Sequence, residues 1–153
     1  MLFTSDMRDF IGFLEKNRVK YVLVGGFAVN YYGYVRTTQD IDILIVPSRD
    51  NAARTMKALM EFGFGNAGIP QKCFETEGTA VHLGVEPNRI DLLTHLKGVS
   101  NAEILARAQR VNCNDISLAI ISLRDLICCK KNSKRAKDLA DADELAKINP
   151  EHA

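Results

Sequence analysis

Apolar residues near the start of the chain fall at Met7, Phe10, Ile11, Phe13 and Leu14, the i, i+3, i+4, i+7 spacing of one helix face. Thr4 or Ser5 is placed to cap that helix. The period then changes. Tyr21 to Val24 is a continuous β-branched and aromatic run, which predicts a short buried strand, and Gly25-Gly26 closes it. Phe27 to Tyr32 reads as the start of a helix. A second run, Ile41 to Val46, predicts another buried strand that stops at Pro47. Ser48 or Asp50 then caps a helix through about Phe62, with Ala53, Met56, Leu59 and Met60 facing inward. Residues 63–78, GFGNAGIPQKCFETEG, are glycine-rich and carry no clear period. A plain connection is the commoner reading of such a segment, and a lid or substrate-binding loop the sharper one.

In the second half, residues 79–85 and 89–93 read as two strands joined by a turn at Glu86-Pro87-Asn88. Asn101 caps a short helix to about Ala108. Residues 110–113 and 116–121 predict a further hairpin around Asn114-Asp115. Ser122 caps a helix carrying Leu123, Leu126 and Ile127, and a final helix from about Arg135 to Ile148 presents Leu139, Ala142, Leu145 and Ala146. Strands, hairpins and helices thus interleave. They predict an α/β (α+β) fold with a mixed sheet flanked by helices. At 153 residues and 46% hydrophobic, the chain has material for one domain with a real core and not for two.

Composition excludes more than it specifies. A net charge of +1 gives no nucleic-acid coat and no membrane-surface binder. No apolar run approaches the roughly 20 residues of a membrane span, and MLFTSDMRDF lacks the basic-then-apolar order of a signal peptide. Cys73, Cys113, Cys128 and Cys129 show no C-x-x-C spacing, and the vicinal pair cannot easily bond to itself. Reduced thiols in or near the core, and a cytoplasmic setting, are the expectation. His82 and His95 stand apart from any cysteine or second histidine at ligand spacing, so no zinc site is expected.

The chemistry concentrates in VGGFAVNYYGYVRTTQDIDILIV, residues 24–46. Gly25 and Gly26 lack the Cβ atoms that would hold an anion away from the backbone, and the helix that follows would point free N–H groups at it. Asp40 and Asp42 stand two apart on a strand, so both carboxylates share a face, and hard oxygen ligands favour Mg²⁺. Each half is ambiguous alone: a Gly-Gly after a strand is more often a tight turn, and Asp-x-Asp is often a solvated strand end or a cap. The apolar run after the aspartates makes unpaired carboxylates there costly, which favours a functional reading. Asp91, in Arg89-Ile90-Asp91-Leu92-Leu93, is either an ion-pair partner of Arg89 or the third acid of a two-metal centre. Tyr31, Tyr32 and Tyr34 could stack a base, although core packing is commoner for aromatics.

Three segments, VGGFAVNYYGYVRTTQDIDILI, NRIDLL and ISLRDLICCKKNSKRAKDLADADEL, together resemble the polymerase-beta-type nucleotidyltransferase superfamily. More narrowly they resemble its small bacterial members related to AbiEii-type abortive-infection toxins, over residues 8 to 147. The resemblance implies that Gly25 and Gly26 hold a triphosphate and that Asp40, Asp42 and Asp91 bind two Mg²⁺. It implies transfer of a nucleoside monophosphate from an NTP to an acceptor hydroxyl, with release of pyrophosphate and one carboxylate as base. The small subgroup also carries a lysine closing one helix and Gly-Arg-Pro-Lys-Asp-Leu-x-Asp opening the next. Lys130 matches the first lysine, and Arg135, Lys137, Asp138, Leu139 and Asp141 match the rest, with Lys134 and Ala136 in place of glycine and proline.

Lys130, Lys131, Lys134, Arg135 and Lys137 form a cationic cluster in a near-neutral chain. Such a cluster is either a solvated helix corner or a source of phosphate contacts, with Lys130 the preferred residue; Arg36 either meets a γ-phosphate or forms an ion pair on its loop. Asp138 is expected to partner Arg135 or to serve as a helix-start charge rather than as a fourth ligand. The alternative to the enzyme is a module on the same fold that binds nucleotide or a partner without turnover. Acceptors left open are tRNA, a protein and a small molecule, with an antitoxin partner or a homodimer completing the site. Transferases that modify antibiotics usually carry an added helical domain, for which this chain has little room.

Overall fold

The computed structural model describes residues 2–152. Thr4 caps the first helix, α1 (Ser5–Lys16), its hydroxyl accepting from the Met7 amide, and Met7, Phe10, Ile11 and Leu14 are buried. β1 (Tyr21–Val24) and α2 (Gly25–Tyr31) follow, then β2 (Asp40–Ile45) and α3 (Arg49–Leu59). The second half runs β3 (Ala80–Leu83), β4 (Arg89–Leu93), α4 (Asn101–Arg107), β5 (Gln109–Cys113), β6 (Ile116–Ile120), α5 (Leu123–Ser133) and α6 (Ala136–Ile148). The six strands form one sheet in the order β3-β4-β2-β1-β6-β5. β2 with β4 and β1 with β6 are parallel, and the remaining neighbours are antiparallel. The mixed sheet anticipated from the patterning is therefore present. Its central strands are covered on both faces, which is why all four residues of β1 and Ile41, Ile43, Leu44 and Ile45 of β2 are buried.

Four local departures have physical causes. α3 buries Asn51, Ala52, Thr55, Ala58 and Leu59, whereas Ala53 and Met60 are exposed and Met56 only half-buried. Asn51 sets this rotation. Its amide donates to the Lys20 and Val46 carbonyls at 3.0 and 2.7 Å, and its oxygen accepts from the Lys20 amide at 2.7 Å. Satisfying three backbone groups at the ends of β1 and β2 outweighs the burial of one methionine. α4 is capped by Ser100, because Asn101 turns inward and donates to the Thr94 carbonyl at 2.8 Å. Residues 63–78 are a packed connection: a π turn at Met60–Phe64 and a 3₁₀ turn at Gln71–Phe74 bring Phe74 fully into the core. On α6 Leu139 is exposed, and the inward face holds Asp138 and Asp141 beside Ala142 and Leu145.

α5 and α6 meet at Lys134, which adopts the left-handed conformation at φ 62°, and Ala136 takes the first position of α6. The turn is thus made in a conformation that favours glycine. Among the described residues, no helix is long and apolar enough to cross a membrane. Lys134→Gly should stabilise the fold by about 1 kcal/mol by removing the left-handed strain. Urea unfolding reads this as a higher midpoint at an unchanged slope, and a lower midpoint would contradict it.

Candidate active site

Parallel pairing of β2 with β4 sets Asp40 beside Arg89 and Asp42 beside Asp91. Alternation along each strand puts all four on one face. Carboxylate oxygens of Asp40, Asp42 and Asp91 lie within 4.8 Å of one another. On its other side Asp42 pairs with Val24, the last residue of β1. The next residue, Gly25, has φ +70°, and a Cβ there would stand 2.1 Å from Asp42 Oδ2. A Cβ on Gly26 would stand 2.7 Å from Thr38 Oγ1. The glycines were expected to leave room for an anion. In the structure that room is filled by a carboxylate and a hydroxyl of the chain itself, and α2 has seven residues with no side-chain cap.

Asp42 and Asp91 are shifted in opposite directions. Burial raises Asp42 to about 7, the charges of Asp40 and Asp91 push the same way, and Lys130 opposes them. Asp91 moves oppositely: burial would raise it, but hydrogen bonds from Arg89 and His82 outweigh that and hold it below the ordinary carboxylate value. Arg89 donates to Asp91 through Nε at 2.8 Å and Nη2 at 3.0 Å, and His82 Nδ1 lies 2.7 Å from Asp91 Oδ1. Both alternatives for Asp91 hold together, since it pairs with Arg89 and also joins the other acids. Three converging oxygen donors with one carboxyl held near neutrality fit a hard divalent cation.

His82, set aside in the sequence, is in this shell. A turn at 86–88 would pair His82 with Leu92 and point it to the opposite face. β3 instead ends at Leu83, and Leu83 pairs with Ile90, so His82 meets Asp91. The difference is one residue of register.

The expected phosphate cations, Arg36 and Lys130, lie nearby but are engaged. Arg36 Nε and Nη2 each donate at 2.8 Å to Asp141, whose side chain is 1% exposed. Lys130 Nζ stands 2.9 Å from Asp138 and 3.0 Å from Asp141. Arg135 pairs with Asp138 at 2.8 Å, as expected, and Ser133 donates to the same carboxylate. Burial alone would raise Asp138, yet these donors bring it down to about 2. The acids, Arg36, Lys130, Arg135 and Lys137 all border one cleft of about 860 Å³, which residues of β3, β4 and 95–97 also line. The tyrosines lie outside it, and Tyr32 donates to the Ile121 carbonyl at 2.6 Å. Cys129 touches the cleft, and burial pushes its thiol up to about 12, which disfavours the thiolate.

A family described as "Nucleotidyl transferase of unknown function (DUF2204)" matches residues 3–153. No curated protein matches the chain by sequence. Among solved structures, the lincosamide antibiotic adenylyltransferase LnuA, determined with lincomycin bound, is 14% identical at a TM-score of 0.57, covering 97% of this chain and 99% of that one. The antibiotic-resistance factor ANT(2'')-Ia is 9% identical at a TM-score of 0.62, covering 97% and 85%. TM1012 from Thermotoga maritima, a putative nucleotidyltransferase in its own description, is 14% identical at 0.58, covering 95% and 91%. These likenesses establish the nucleotidyltransferase fold.

The raised Asp42 gives a signed pH dependence. Its folded value, about 7, exceeds the ordinary 3.8. Stability from its protonated form is therefore complete below about pH 4 and lost as pH rises through 7. In EDTA, Asp42→Asn should match wild type at acid pH and exceed it above neutrality by on the order of 2 kcal/mol. Denaturant unfolding across that range tests this, and a variant less stable than wild type at pH 8 would contradict it.

Proposed function

The chain belongs to the nucleotidyl transferase family DUF2204, and from that premise we propose that it is a Mg²⁺-dependent enzyme transferring a nucleoside monophosphate from an NTP to an acceptor hydroxyl. The observation that carries this reading is the cluster of Asp40, Asp42 and Asp91 within 4.8 Å at the edge of the cleft. A scaffold gains nothing from forcing three carboxylates together and lifting one to near neutrality. Two Mg²⁺ ions bound there would neutralise the acids and stabilise charge on the attacking and leaving oxygens. Asp40 and Asp42 share a strand face and would hold metal from one side, with Asp91 from the other. Arg89 and His82 keep Asp91 ionised and oriented beside the other two acids, as a metal ligand must be. Gly25 lets Asp42 stand against the end of β1, and the Gly25–Gly26 turn borders the space for the triphosphate. Lys130 and Arg36 supply positive potential at that end of the cleft, while Asp138 and Asp141 keep them in place.

A non-catalytic nucleotide- or partner-binding module has one observation in its favour: three cations near the acids already have carboxylate partners. The resemblance to AbiEii-type proteins supports a toxin–antitoxin or abortive-infection role, with an antitoxin or a second copy as partner.

Calorimetry with each of the four NTPs in Mg²⁺ should show binding that EDTA abolishes and Asp42→Asn weakens by at least about tenfold. Metal-independent binding, or an unaffected variant, would overturn the site. Pyrophosphate release with an acceptor pool separates the enzyme from the module. In the toxin reading, induced wild-type protein should arrest growth and Asp42→Asn should not; equal arrest by both would count against it.

A further inference from the structure

Four basic side chains border the end of the cleft formed by the β1–β2 connection, α5 and α6: Arg36, Lys130, Arg135 and Lys137. They differ in what a ligand must disrupt to reach them. Arg36 is held by both oxygens of Asp141, and its side chain is only 16% exposed. Lys130, 12% exposed, is shared between Asp138 and Asp141. Those two carboxylates are buried, so drawing either cation off would leave Asp141 with one of its two partners in the interior. A phosphate gains little by doing so. Arg135 is tied to Asp138 through Nε and Nη2. Lys137, in the first turn of α6, is exposed, borders the same cleft and forms no ion pair among the described residues.

We infer that Lys137 reads the outer phosphates of the nucleotide, so that it distinguishes a nucleoside triphosphate from a monophosphate, while Arg36 and Lys130 are fixed structural charges. This rests on the nucleotidyl-transfer reading above. The physical order is clear: a mobile ammonium with no partner can follow a flexible polyphosphate tail, and nothing buried is left uncompensated when it does. Asp141 thereby acts as a positioning residue, holding two cations away from the tail while keeping their positive potential at the cleft wall. The free lysine then adds a contact that depends on phosphate number.

The test is calorimetry in Mg²⁺ with the tri-, di- and monophosphate of the best-bound nucleoside. It uses wild type, Lys137→Ala, Lys137→Arg and Lys131→Ala. Lys131 is exposed on α5 and does not border the cleft, so it controls for loss of one nearby charge. Lys137→Ala should weaken triphosphate binding about tenfold and leave monophosphate binding within about twofold. Lys137→Arg should retain wild-type affinity, and Lys131→Ala should shift no ligand more than about twofold. Equal weakening of all three nucleotides by Lys137→Ala, no weakening at all, or an equal effect from Lys131→Ala would overturn the inference. Wild-type protein that binds none of the three in Mg²⁺ overturns the functional reading itself, a result distinct from wild-type binding with an unaffected variant.

Discussion

The pairing of β2 with β4 is the constraint on which the site depends. Because the two strands are parallel and in register, Asp42 must stand beside Asp91, and alternation brings Asp40 to the same face. Three like charges at this spacing repel, and nothing in the local chain favours them. The arrangement persists because the alternate residues, Ile41, Ile43, Ile90 and Leu92, are wholly or almost wholly buried on the other face. Burial of four large aliphatic side chains is worth several kcal/mol, at roughly 1.5–3 kcal/mol each. The hydrophobic register therefore overrides the electrostatic penalty and holds it in place. One slip of register would move every acid into the core and every isoleucine into the cleft.

Gly25 is the second element that the carboxylates require. Its φ of +70° and the 2.1 Å approach of Asp42 Oδ2 to its missing Cβ leave no other residue a place there. The turn after β1 and the acid on β2 are thus one device, joined through the antiparallel pairing of Val24 with Asp42. A glycine read as room for a ligand is, in the folded chain, room for the group that would hold the ligand's metal.

Much of this was legible in the sequence, and what was not has a common cause. Short buried strands such as Tyr21–Val24 are set by local apolar content, so β1 appears where the pattern places it, and Ser48 and Ser122 cap helices through bonds to residues three positions on. Asp40, Asp42 and Asp91 could be grouped because strand alternation and family resemblance both point there, and the fold brings their oxygens together. The errors arise where a polar side chain makes a contact far along the chain. Asn51 rotates α3 through Lys20 and Val46, Asn101 turns inward to Thr94, and Asp141 reaches back 105 positions to Arg36. Apolar periodicity is silent about such partners. α6 shows this most clearly: its inward face is half acidic, and only the cations from α5 and the β1–β2 connection make that face buriable.

Those cations also resolve an apparent paradox in charge. Basic groups at a cleft give it positive potential, yet several unpaired bases together would bind anions indiscriminately. Pairing Arg36 and Lys130 with Asp141 leaves their field partly compensated and their positions fixed, and pairing Arg89 with Asp91 does the same on the acidic side. Asp91 alone of the three acids has a cation bonded directly to it among the described residues, and burial, with the charges of Asp40 and Asp91, lifts Asp42 to about 7. Asp40 and Asp42 are thus left without a cation of the chain's own, and a divalent cation bound beside them would complete the charge pattern that the fold leaves open.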